Sequence, residues 1–210
     1  MSSVSSNIPQ TTIYHFIGVI YMKSFFAGII VVSMFLFAGN ASAAGSQTVG
    51  VGLDVLIPTG KFGDAYGVGF GGSARYQYNV NNMFSATGTV GYFSWSGKDF
   101  SGVTGPSFKG FTIRAGGKYY FVPAGTRFYG LFELGLFFSS VDVPSYTLFG
   151  QTFGGGSVSS TDFLITPVIG VEIPAGPKNS VDASVRYELI LSSGDSAGSI
   201  GFRVAYNFGL

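Results

Sequence analysis

The sequence predicts an all-β fold: an eight-stranded antiparallel up-and-down transmembrane β-barrel, preceded by a signal peptide. Three observations carry this. Large apolar residues alternate with small or polar ones through segments of about ten residues, a period of two that belongs to strands. The connections between these segments alternate between short and long. The composition is apolar, with 10% charged residues where soluble domains carry about 25%. Mean hydropathy is +0.40, yet beyond the N-terminus no apolar run reaches the ~18 residues that a membrane helix needs.

The chain opens with an address. Met22-Lys23 precedes an apolar run from Phe25 to Phe37, and Ala41-Ser42-Ala43 follows. This is the order of a signal peptide: basic start, apolar centre, small-residue cleavage site. Cleavage after Ala43 leaves residues 44–210 as the barrel domain, and 1–43 as extension and signal peptide. The competing reading is a retained membrane helix. Met22 is a natural start, so residues 1–21 are either an upstream misassigned start or a longer n-region of the signal peptide.

Eight segments then follow. The first, 48–57, shows Val49, Val51, Leu53, Val55 and Ile57 on one face. The second, 68–78, shows Val68, Phe70, Ala74, Tyr76 and Tyr78, and Asn79 to Asn82 make a tight turn. The third, 83–93, shows Phe84, Ala86, Val90 and Tyr92; the fourth, 109–121, shows Phe111, Ile113, Ala115, Tyr119 and Phe121. Val122 to Gly125 turns the chain into the fifth, 127–138, with Phe128, Phe132, Leu134, Leu136 and Phe138. The sixth, 162–173, shows Phe163, Ile165, Ile169, Val171 and Ile173, and Pro174 to Asn179 turns again. The seventh, 180–190, shows Val181, Ala183, Val185, Tyr187 and Leu189. The eighth alternates without a miss from Ile200 through Phe202, Val204, Tyr206 and Phe208 to Leu210. No stretch of the mature chain has helical periodicity.

Turns after the second, fourth and sixth strands are short; the connections at 58–67, 94–107, 139–161 and 191–198 are longer. Membrane barrels have short periplasmic turns and longer external loops, so an even strand number puts both termini in the periplasm. Pro167 interrupts the sixth segment, because it cannot donate to a ladder. Either a bulge accommodates it, which is the reading preferred here, or the strand begins near Val168.

The alternate positions collect the charges: Asp54, Glu133, Glu172, Asp182 and Glu188 against Arg75, Arg114, Lys118, Arg186 and Arg203. Five acids meet five bases, all opposite the aromatic face. A barrel in lipid points apolar residues outward and keeps polar ones inside. A lipid-facing Arg or Lys at the midplane would cost about 2–4 kcal/mol, and the register places none there. A soluble sandwich or lipocalin-like barrel would need an outer face rich in Lys and Glu. Here the polar face is mostly Gly, Ser and Thr, including Gly69, Ser73, Gln77, Thr87, Thr89 and Ser184. Aromatics gather near both strand ends, as two interfacial girdles do.

Two internal stretches carry a resemblance: Leu56-Ile57-Pro58-Thr59-Gly60-Lys61-Phe62-Gly63-Asp64 running on to Gly67–Gly72, and Thr166-Pro167-Val168-Ile169-Gly170-Val171-Glu172. With the terminal strand they resemble the small porin-like outer-membrane barrels of the OmpX, OmpA transmembrane-domain and OmpW type, over nearly all of 44–210. The resemblance implies a Gram-negative cell envelope, residence in the bacterial outer membrane, and contact with its lipid and lipopolysaccharide. It also implies handling by periplasmic chaperones and the insertion machinery, which reads the last strand. Val204, Tyr206, Phe208 and Leu210 fill that signal, although the family usually ends in Phe or Trp. Roles in the family range over adhesion, envelope integrity and passage of small molecules, and fold does not choose among them.

No chemistry asserts itself. Some barrels of this size are lipid-modifying enzymes that use a His with a Ser; the single His here is His15, in the segment to be removed, and there is no Cys. Neither a Ser–His nor a Cys–His arrangement can be assembled. Asp182 and Glu188, six residues apart on one strand, lie about 20 Å apart and cannot cooperate. Gly67–Gly72 and Gly154–Gly156 lack the helix of a phosphate loop. Asp64, Asp99, Asp142 and Asp195 are isolated loop residues. Net charge of +1 offers nothing to nucleic acid. The expectation is no enzyme, no cofactor and no metal.

Two functions remain. In the first, paired charges plug a lumen only just wide enough for its side chains, and external loops make contacts with a surface partner that the sequence does not name. The long loop 139–161 carries Tyr146, Leu148, Phe149 and Phe153; these form a contact surface, or the strands simply extend as a hairpin. In the second, the barrel is a narrow porin-like channel for small solutes. Leu56, Phe93, Tyr120, Tyr129, Leu131, Phe137 and Leu164 then line a path, or else they fill the barrel ends.

Overall fold

Alternation of this kind leaves each strand with one apolar face, and closure removes every sheet edge from the bilayer. The computed structural model describes residues 45–98, 107–148, 151–192 and 196–210. The segment 1–43, with the expected signal peptide and cleavage site, lies outside them. Eight strands form one closed barrel: β1 (Gln47–Thr59), β2 (Tyr66–Asn79), β3 (Phe84–Gly97), β4 (Ser107–Tyr120), β5 (Arg127–Leu148), β6 (Gln151–Pro174), β7 (Ser180–Leu191) and β8 (Ala197–Gly209). Each pairs antiparallel with its sequence neighbour, and β8 closes on β1 through Thr48↔Gly209 to Thr59↔Gly198. The Leu210 N–H donates to the Gln47 carbonyl at 2.9 Å, so both described ends meet at one rim. We call this the terminal end; α1 (Gly60–Ala65) and the other long connections mark the far end.

The alternation divides the wall as expected. Leu53, Phe70, Ile169 and Val204 are exposed on the outside, while Asp54, Arg75, Arg114 and Glu133 are buried inside. Exposed Tyr76, Phe84, Tyr119, Phe128 and Phe208 ring the terminal end, with Tyr92, Phe111 and Phe138 nearer the far end. Inward glycines make room for large neighbours. A Cβ at Gly110 would run into the Phe137 ring, one at Gly170 into Tyr129, and one at Gly201 would lie 3.0 Å from Arg186 Cγ. A narrow barrel can hold so many long side chains only because these positions hold none.

Three details differ from the sequence reading. The bulge expected at Pro167 is absent. β6 pairs with β7 in one register on both sides, and the ladder merely lapses at Thr166 and Pro167. On the β5 side Pro167 stays opposite Phe132, so the strand does not begin at Val168 either. The missing N–H therefore faces β7. A register shift does occur elsewhere, in β2 against β3 between Tyr66 and Gly69.

The connection 58–67 contains a helix, α1, six residues long and too short to register a period. Of the two alternatives for 139–161, the strands extend as a hairpin: β5 and β6 continue to Leu148 and Gln151, with Gly154–Gly156 inside β6. The side chains of Tyr146, Leu148 and Phe153, and all of Phe149, lie outside the described residues. So do Asp99, Asp195 and the Asp142 side chain. Finally, β3 runs on to Gly97, which brings Trp95 into the wall.

Candidate functional site

Among the described residues, the lumen is where this barrel gathers its chemistry-bearing side chains, and strand parity puts them there. It is filled in three layers. At the far end, Leu56, Phe93, Trp95, Phe137, Leu164 and Ile190 form a buried apolar layer, with Phe62, Tyr66 and Phe108 packed against it. Phe62 comes from α1, and its ring lies 5.7 Å from Trp95 and 5.3 Å from Phe108. The helix thus caps the mouth with an aromatic side chain. These residues fill the barrel end.

The middle layer holds the charges. All ten charged residues read from the sequence lie here, each at most 5% exposed. Arg114 is central: Nη1 donates to Glu188 at 3.0 Å and Nε lies 3.7 Å from Glu133. Glu133 also faces Arg75 at 3.7 Å and accepts from the Thr89 hydroxyl at 2.6 Å. Arg186 bridges Glu188, at 2.7 Å, to Asp54. Ser73 joins the next group, since its hydroxyl donates to Asp54 at 2.7 Å and accepts from Arg203 Nε at 2.8 Å. Arg203 pairs with Asp182 at 3.2 Å, and Asp182 lies 3.6 Å from Lys118. Lys118 reaches Glu172 at 2.8 Å. The ten form one continuous network across all eight strands but β3, which contributes Thr89.

At the terminal end, Tyr120, Tyr129, Leu131 and Val168 form a smaller cluster. Lys118 sits over the Tyr129 ring at 3.9 Å, and Arg127 over Tyr120 at 3.9 Å. The Tyr120 hydroxyl donates to Glu172 at 2.6 Å and accepts from Gln77 at 2.9 Å. Beyond lies an open vestibule of about 390 Å³, lined by Asn79, Arg127, Glu172, Lys178 and Ser180 among others.

Burying so many ions is costly unless each has a partner. Here every charged member has one within 4 Å. Some buried atoms, among them Arg75 Nη1, Arg203 Nη2 and Thr112 Oγ1, have no protein partner, so ion pairing rather than saturated hydrogen bonding holds the network. Among the described residues no group of His, Asp and Glu is arranged to hold a metal.

Two members were not singled out from sequence. Arg127 donates to Glu172 at 2.9 Å. Its parity matches Tyr129 and Glu133, but it abuts a turn. Asp162 is buried above Leu164 and accepts from Ser160 at 2.9 Å. Parity alone would have found both. Val204, Tyr206, Phe208 and Leu210 all lie exposed on the outer face of β8 or just past its end.

Comparison with known proteins places this geometry. The model of a family described as outer membrane protein beta-barrel domain matches residues 29–208. Neisserial surface protein A, from Neisseria, superposes with a TM-score of 0.59 at 20% identity, over 79% of this chain and 99% of that one. A major outer membrane protein from Thermus thermophilus gives 0.58 at 14% identity, over 80% and 100%. Ail, the attachment invasion locus protein of Yersinia pestis, solved with the heparin analogue sucrose octasulfate, gives 0.51 at 19% identity, over 79% and 100%. At these identities the structures establish the fold. No curated protein sequence matches. The chain belongs to the outer-membrane β-barrel family and is a protein of the bacterial outer membrane.

Proposed function

We propose that this outer-membrane barrel does not conduct, and that it serves as a structural scaffold whose far end makes contacts at the cell surface. The observation that carries the reading is the filled lumen: an apolar layer from Leu56 to Ile190 stacked on an ion-pair network that reaches from Glu133 to Arg127. A solute would have to break several buried pairs at once. The termini and short turns then face the periplasm, in line with the rule for membrane barrels. The far end, with α1 and the long β5–β6 hairpin, faces outward. The aromatic girdles meet membrane lipid, with lipopolysaccharide on the outer side. The last strand, with Tyr206 and Phe208, is the segment read by the insertion machinery after passage through periplasmic chaperones. The role is not enzymatic.

A narrow channel is the second reading, favoured by the vestibule that opens to Arg127 and Glu172. Planar-bilayer recording of refolded protein decides. The plugged reading expects a silent membrane. Discrete openings in wild type, altered by Arg114→Ala or Glu133→Ala, would overturn it.

A further inference from the structure

The vestibule at the terminal end holds a positive charge that the lumen does not need. The ten lumen charges already balance, five acids against five bases. Arg127 is a further base at their edge. The further acid, Asp162, sits toward the other end of the β5–β6 ladder, opposite Phe137. Arg127 is also the least sealed member, with 22% of its side chain exposed. One N–H, on Nη2, goes to Glu172 at 2.9 Å, out of the five that a guanidinium carries. Glu172 is well served without it: the same carboxylate accepts from Lys118 at 2.8 Å, Tyr120 at 2.6 Å and Ser180 at 2.9 Å.

The surroundings hold this cation in place. Its guanidinium lies over the Tyr120 ring at 3.9 Å, and the bond to Glu172 limits how it can turn. A second cation, Lys178, lines the vestibule from the β6–β7 turn. That turn is tied by the Ala175 N–H, which donates to the Asn179 carbonyl at 2.9 Å. Gly209 lets it settle on the end of β8, since a Cβ there would run into the Lys178 backbone. Leu210 also lies on the rim, and its carboxylate offsets one of the two cations. The recess stays positive, because Glu172 belongs to the balanced set within. Its volume of about 390 Å³ is over ten times the ~30 Å³ share of one water, so an anionic group and part of the molecule that carries it both fit. A positioned guanidinium with donors to spare is suited to bidentate capture of a carboxylate or a phosphate.

We propose that the vestibule is a binding site for an oxyanion, a carboxylate or a phosphate, with Arg127 as its fork and Lys178 as a second charge. The occupant belongs to a molecule on the side of the membrane where the termini lie. That side is the periplasm on the reading above, but the site itself depends neither on the orientation nor on a closed lumen.

The full barrel is refolded in alkyl-maltoside micelles, which bring no anion of their own. Backbone and arginine N–H resonances are followed by NMR during titration with sodium phosphate, with sodium acetate and, at matched ionic strength, with sodium chloride. Saturable shifts at Arg127, Asn179 and Ser180 are expected with phosphate, acetate or both, and not with chloride. Saturation by phosphate alone assigns a phosphate ester as the occupant; saturation by acetate alone assigns a carboxylate. Arg127→Lys keeps the charge and loses the fork, so binding should weaken about tenfold, the worth of one charge-assisted hydrogen bond. Lys178→Glu, at an exposed turn position outside the ion-pair network, should weaken it at least as much and decides alone if Arg127→Lys does not fold. No saturable shift, the same shifts with chloride, or unchanged affinity in either folded variant overturns the proposal. Because bilayer conductance is recorded separately, a conducting barrel that still binds sinks the plug and spares the site.

Discussion

Glu133→Ala should be among the most damaging single changes in the barrel. Glu133 is fully buried and faces two guanidinium groups, Arg75 and Arg114, each at 3.7 Å. Removing one member of a buried pair typically costs about 3–5 kcal/mol, because the abandoned charge stays buried. Arg114 keeps Glu188 at 3.0 Å, so the larger share falls on Arg75, which loses its nearest carboxylate and keeps the Thr89 hydroxyl at 3.1 Å. Thr89 in turn loses the acceptor it holds at 2.6 Å, a further loss of about 1–3 kcal/mol if nothing replaces it. Glu133→Gln retains that acceptor and the volume, so it should be milder than Ala by about this second amount. Urea unfolding of the refolded barrel in lipid vesicles measures both, and the double change with Arg75→Ala should recover part of the loss. A loss below about 1 kcal/mol for Glu133→Ala, the range of exposed pairs, would refute the reasoning, because it would mean that water screens this level of the lumen.

Other changes probe other levels. Gly110→Ala drives a methyl group into the Phe137 ring and should destabilise by about 1–3 kcal/mol through overpacking, read from the same unfolding curves. Pro167→Val restores a donor facing β7 and should slow hydrogen exchange around Tyr187 while adding about 0.5–1.5 kcal/mol; unchanged exchange there would mean that the lapse in the ladder has another cause. Tyr206→Asp with Phe208→Asp puts charge on two exposed positions of β8 and should block assembly, seen as loss of heat-modifiable protein from outer-membrane fractions.

Much of this architecture was legible because a period of two survives any tertiary context in which one face meets lipid. Strand number, the order of faces and the ten buried charges follow from it. What escaped did so at the ends of elements, where parity competes with turn signals. Arg127 and Asp162 sit on the lumen face but beside a turn or a long connection, and so read as boundary residues. Trp95 stands between Ser94 and Ser96, an alternation that continues past the expected end of the third strand. α1 is a single short turn of helix within a Gly-rich connection, and Phe62 acquires its role only when the barrel closes beneath it. Pro167 was read from what it lacks, a donor. The sequence does not say which neighbour would have received that bond, and hence whether the strand must bulge or the ladder lapse. Which charge meets which is also a property of closure: Arg186 and Asp54 are distant in sequence and meet only when β8 joins β1.

The central claim is that the lumen is closed between the far mouth and the vestibule, and the absence of native cysteine allows a direct measurement. Thr112→Cys places a thiol at a fully buried lumen position, and Asn179→Cys places one in the vestibule lining. Barrels carrying each are refolded into vesicles and exposed on both sides to a charged, membrane-impermeant thiol reagent. The account predicts rapid labelling of Asn179→Cys and none of Thr112→Cys until the barrel is unfolded. Labelling of Thr112→Cys in the folded barrel at the rate of Asn179→Cys would contradict it.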